Sequence, residues 1–80
     1  MTREEVTKIL TDIFRDIFEE DNLIVTDETT AGDIEAWDSL THLSMISEVE
    51  SKFRIRFKMK EITTMKNVGE MITIICERAK

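Results

Sequence analysis

Proline is absent from these 80 residues, and only two glycines occur, Gly32 and Gly69. So few breakers argue against a turn-rich β fold and favour helices. A single cysteine, Cys76, excludes an intrachain disulfide and fits a reducing compartment. No run approaches the ~18 apolar residues of a membrane helix, and no signal-peptide pattern opens the chain. The sequence therefore reads as cytoplasmic, without membrane insertion. Bases are scarce in the first half. Residues 1–40 hold twelve acids and three bases, whereas residues 41–80 hold five acids and eight bases. The net charge of −6 argues against nucleic acid as the main partner, because phosphate binding needs clustered Lys and Arg. The two halves are expected to attract one another.

What is present suits a small globular domain spanning residues 1–80. Apolar residues are plentiful and periodic, which excludes the disordered class. A chain of this length buries roughly 60% of its unfolded surface, so only modest stability is expected. Nothing in the pattern demands an oligomer, and a monomer is expected.

Val6, Ile9, Leu10, Ile13, Phe14, Ile17 and Phe18 recur at spacings of three and four, one apolar stripe of a helix. Thr2 and Glu5 form a capping-box pattern, which places this helix at about residues 3–19. Lys8, Asp12, Arg15 and Glu19 fall on its solvated face. Residues 20–37 then read as a long loop pinned by Leu23, Ile24, Val25, Ile34 and Trp37. A loop of that length is often functional.

A second helix is expected to start at Asp38 or Ser39, with Asp38 as N-cap. Steps of 100° put His42, Met45, Ile46, Val49 and Phe53 on its inner face. Leu40, Ser44, Ser47 and Ser51 fall opposite, with Leu43 and Arg54 at the edge. Two leucines on the solvent side, beside a serine that opens a helix, suggest a small docking patch.

"KFRIRFKMK", residues 52–60, alternates base and apolar residue, the period of extended chain. Phe53, Ile55, Phe57 and Met59 are expected to turn inward. "KEITTM" reads as a short helical turn. Asn67, with Glu70 three residues on, caps a last helix striped by Val68, Met71, Ile72, Ile75 and Ala79. The fold class is all-α: three main helices plus a short fourth, with the long loop between the first and second.

Most chemistries are excluded. One His and one Cys far apart do not make a zinc site, and "DNLIVTDETTAGD" lacks the spacing of a calcium loop. Ser39 is not in a G-x-S-x-G elbow, and His42, on another helix face, is no base for it. His42 reads as a partly buried helix-face residue and Cys76 as a packing residue. The basic connector reads as a solvated edge with a role in internal attraction and in partner choice. Ser39 remains: a helix cap, or a serine exposed at a helix N-terminus, where free N–H groups favour a phosphate-bearing group.

At "DSL", Asp38-Ser39-Leu40, the chain resembles the acyl carrier proteins. The resemblance spans the first amphipathic helix, the loop "VTDETT", the motif helix ending in Phe53, and the helix after "ITTMKNVGEM". It implies a carrier and not an enzyme. A phosphopantetheinyl transferase would attach 4'-phosphopantetheine from coenzyme A to Ser39, read through Asp38 and Leu40. The thiol of that arm would carry an acyl or aminoacyl group as a thioester, charged by a loading enzyme and handed to downstream transferases or synthases. Partner contacts would fall on Leu43, Ser44, Ser47, Glu50 and Arg54. Carriers of general fatty acid biosynthesis usually have acids along this helix. Here Thr41, Ser44, Ser47 and Ser51 replace many of them, Glu48 and Glu50 remain, and a basic segment follows. The expectation is a specialised carrier. The alternatives are a D-alanyl carrier of cell-wall modification, suggested by "WDSL", and an unmodified helical adaptor that binds a partner helix.

Overall fold

Thr2 opens the first helix. Its hydroxyl accepts the Glu5 N–H at 3.1 Å, and the Glu5 carboxylate accepts the Thr2 N–H at 2.9 Å. That N–H, and then the Thr2 hydroxyl, hold the Glu5 carboxyl below the usual carboxylate range. From this cap α1 runs Arg3–Phe18 and buries Val6, Leu10, Ile13, Phe14 and Phe18. It ends one residue before the expected position. Glu19 turns left-handed, with φ 55°, and its N–H returns to Arg15 O as a C-cap. The structure, a computed structural model, describes residues 1–79. After α1 come a single 3₁₀ turn at Ala31–Asp33, then α2 (Ser39–Phe53), α3 (Met59–Thr64) and α4 (Val68–Arg78). The described residues contain no strand. The architecture is the expected all-α bundle of three main helices and a short fourth.

α1 is the central helix, and α2 and α4 both pack on it. The core joins the α1 stripe to Met45, Ile46, Val49 and Phe53 of α2 and to Val68, Met71, Ile72 and Ile75 of α4. Full burial of each such side chain is worth about 1.5–3 kcal/mol.

The long loop is pinned at Val25 and Ile34, which are buried, and at Leu23 and Trp37, which are partly buried. Ile24 corrects the expectation, because it is 75% exposed. Neighbouring side chains of an extended segment point to opposite sides, so Val25 turning inward sends Ile24 outward. The loop also closes the start of α4. Val68 N–H donates to Thr29 O and Gly69 N–H to Asp27 O, each at 2.9 Å. These bonds satisfy two of the donors a helix start leaves unpaired. A Cβ at Gly69 would lie 3.0 Å from Asp27 O, so the approach depends on glycine.

In the basic connector Ile55 and Phe57 are buried, while Arg54, Arg56 and Lys58 face solvent, as the alternation requires. Phe53 belongs to the last turn of α2. Met59, expected inward, is 73% exposed. α3 begins there, so the period changes from two to 3.6 and the alternation no longer assigns its side.

The expected attraction between the acidic and basic halves is not realised as ion pairs. The pairs among the described residues, Arg3–Asp27 at 2.6 Å and Arg78–Glu61 at 2.5 Å, each lie within one half. The connector's bases point into solvent instead.

Candidate functional site

Asp38 is the N-cap of α2. Its Oδ1 accepts the backbone N–H groups of Leu40 and Thr41, each at 3.0 Å. Thr41 completes the reciprocal cap, because its hydroxyl accepts the Asp38 N–H at 2.8 Å and donates to Ala36 O at 2.8 Å. The Thr41 N–H lowers the Asp38 carboxyl most, with help from the Thr41 hydroxyl and the Leu40 N–H. Asp38 is thus an anion at neutral pH with its charge directed into the helix start. Thr41 carries the cap where a glutamate is the commoner partner.

Ser39, the first residue of α2, is exposed, and its side chain makes no hydrogen bond among the described residues. The capping work falls to Asp38 and Thr41, which leaves the Ser39 hydroxyl available. Leu40 and Leu43 beside it are 78% and 58% exposed. Ser44 and Ser47 are exposed on the same outward side, as is Arg54 at the far end of α2. Glu50 is different. It is half-buried, and its carboxylate accepts the Phe57 N–H at 2.8 Å, so it braces the connector. The structure therefore brings Leu40, Leu43, Ser44, Ser47 and Arg54 to one outward face with Ser39 at its head.

His42 is partly buried and both ring nitrogens are engaged. Trp37 Nε1–H donates to His42 Nδ1 at 3.0 Å, and His42 Nε2 lies 3.0 Å from Ile62 O. An indole N–H can only donate, so Nδ1 must accept. Nε2 then carries the proton and donates to Ile62 O. Neither nitrogen is left to act as a base for Ser39. The two rings stack, with centroids 5.9 Å apart and planes at 23°. Trp37 also meets Phe14 edge to face at 5.3 Å, which fixes the loop end to α1.

A groove of about 560 Å³ opens beside Ser39. Trp37, His42 and Leu43 form one side, and Met59, Ile62 and Met65 the other. Its size falls within the range of small-molecule sites. The sequence reading missed this groove. Its signal was the i, i+3 pair Ile62 and Met65, with Met59 three residues earlier: one apolar edge on a helix too short to have a full core face.

Comparison with known proteins bears on this arrangement. No family model and no curated protein matches the chain. Among solved structures, the holo acyl carrier protein of Geobacter metallireducens superimposes with a TM-score of 0.84. It is 39% identical to this chain over 90% of the chain and 83% of its own length. An identity of that size across nearly the whole bundle, with an exposed serine opening α2, makes this chain a member of the acyl carrier protein family: a carrier, not an enzyme.

Proposed function

We propose that Ser39 is the attachment point of 4'-phosphopantetheine and that the chain carries acyl or aminoacyl groups for a specialised biosynthetic pathway. The observation that carries this reading is the Ser39 hydroxyl: exposed, without a hydrogen-bond partner among the described residues, and first in α2 of a chain similar to a holo acyl carrier protein. The residues present fit a phosphate ester at this position. The helix start offers a favourable dipole end to an anion. Asp38, already paired with two backbone N–H groups, keeps its charge turned inward. Leu40 and Leu43 give a modifying transferase an apolar contact beside the hydroxyl. The arm, when attached, supplies a terminal thiol that holds the cargo as a thioester. A tether of this kind raises the effective concentration of the cargo at each enzyme it visits.

The specialised role is supported by the outward face of α2, where Ser44, Ser47 and Ser51 stand in place of acids and a basic segment follows. Partners are then a phosphopantetheinyl transferase, a loading enzyme and the enzymes that consume the loaded group.

Intact-protein mass tests the attachment. Incubation with coenzyme A, magnesium and a broad-specificity phosphopantetheinyl transferase is expected to add one phosphopantetheine to the wild-type chain and none to Ser39→Ala. A gain of the same mass in Ser39→Ala would falsify the assignment to this serine. The pathway is tested separately. Support of the general fatty acid synthesis enzymes, at the level their own carrier gives, would remove the specialised reading.

A further inference from the structure

The bases of the connector are the largest cluster of positive charge without an ion-pair partner among the described residues. Lys52, Arg54, Arg56, Lys58 and Lys60 are all exposed, and none takes part in an ion pair among the described residues. Arg54 and Arg56 share a shallow groove with Ser47 and Ser51, the neutral outward face of α2. One acid, Glu50, also lines this groove, with its carboxylate turned to the Phe57 N–H, against the two arginines. Glu48 lies on the other flank of α2, in a groove with Asp12, Asp16 and Lys52. A neutral-to-basic face therefore runs from Leu43 through Ser47 and Ser51 to Arg54, Arg56 and Lys58, on a chain whose net charge is −6.

We propose that this face docks an acidic surface of a partner protein. Arg54 closes α2 in the left-handed conformation, and Arg56 and Lys58 follow it on the extended connector, on one side and about 7 Å apart. That row suits several carboxylates on a protein surface better than one small anion. Leu40, Leu43 and Met59, all exposed toward the Ser39 end, add the apolar contacts such an interface needs at its centre. The rest of the molecule sharpens the choice. A membrane or a nucleic acid presents negative charge over a broad area and would also meet the acidic face of α1 and the acidic loop. A partner protein can confine its acids to one patch and is turned by repulsion elsewhere into a single orientation, with Ser39 toward it.

The surface does not depend on the loading of Ser39, so the test uses the unmodified full chain. Amide shifts of the ¹⁵N-labelled protein are followed during titration with poly-L-glutamate, with mixed phosphatidylcholine–phosphatidylglycerol vesicles, and with a short DNA duplex. Poly-L-glutamate is expected to shift residues 47–60 and to leave α1 unmoved. Arg54→Glu/Arg56→Glu/Lys58→Glu is expected to weaken that binding at least about tenfold, as is a rise in salt that screens the row. Arg54→Gln/Arg56→Gln, a milder change, is expected to give a smaller loss in the same direction and covers any failure of the triple variant to fold. Shifts spread over the whole chain, binding unaffected by either variant, or tighter binding of vesicles or DNA than of poly-L-glutamate would each overturn the proposal.

Discussion

α1 buries five side chains and α3 buries none. Yet the two helices start alike, with a glutamate in the third helical position accepting the backbone N–H of the residue before the helix: Glu5 for Thr2, Glu61 for Lys58. Beyond that shared cap they are held by different forces. α1 is fixed by apolar burial against α2 and α4. Ile62 of α3 and Met65, just past its end, are partly buried, and α3 otherwise depends on directed polar bonds: His42 Nε2–H to Ile62 O, and the Arg78 guanidinium on Glu61 at 2.7 and 2.5 Å. Elements with few buried contacts open at lower free energy than the core. The helix held this way is one wall of the groove beside Ser39, and the other wall is anchored to α1 through Trp37. Ser39 thus sits at a seam between a strongly packed and a weakly packed side.

The sharpest way to break that contrast is in the core. Phe14 is fully buried, and Phe14→Ala is expected to cost about 3–5 kcal/mol, a large part of the stability of so small a chain. Urea unfolding followed by circular dichroism measures it. A loss below 1 kcal/mol would mean that α1 is not the anchor.

Trp37→Phe probes the seam. It keeps an aromatic ring against Phe14 but removes the N–H that His42 Nδ1 accepts, at a cost of about 1 kcal/mol. The ¹⁵N shift of His42 Nδ1 should then change while Nε2 keeps its proton for Ile62 O, with α3 amides exchanging faster while α1 amides keep their protection. Equal effects on the two helices would merge them into one unit.

Acid gives the smallest effect on the whole molecule and the most local. The Arg78 guanidinium, and then the Lys58 N–H, hold the Glu61 carboxyl down to about 2 from its ordinary 4.5. A carboxyl lowered on folding stabilises the fold above its unfolded value and loses that contribution as pH falls through its folded one. The Glu61 contribution is therefore complete above about 4.5 and fades toward pH 2. Glu5 is also lowered and also loses its cap in acid, but α1 keeps its burial. Amide exchange over this window should loosen α3 before α1, and Glu61→Gln should remove most of the pH dependence from α3 alone.

Legibility in the sequence divided along the same seam. α1, α2 and α4 were readable because each repeats an apolar stripe through several turns and starts at a visible cap: Thr2, Asp38, Asn67. The exposed place of Ser39 at the start of α2 was readable because Asp38 caps the helix in its stead. Ile24 and Met59 were misplaced because a strict alternation or a short apolar run cannot show where the backbone changes period. The groove was hidden for a further reason. Its two walls, Leu43 and Ile62, are far apart in the chain and meet through tertiary contacts such as the bond between His42 and Ile62 O. The failure of the two halves to pair has a similar cause, since a charge count says nothing about the side from which each charge faces solvent.

Trp37 is also the chain's one strong fluorophore. The chain has no tyrosine and no second tryptophan, so apart from weak phenylalanine emission its ultraviolet fluorescence comes from a single indole. That indole lines the groove, stacks on His42 and stands two residues from Ser39. The protein is in effect supplied with its own dye. Arrival of an arm, burial of a cargo or a shift of α3 should be legible as a change in one lamp's colour and brightness, with no label attached.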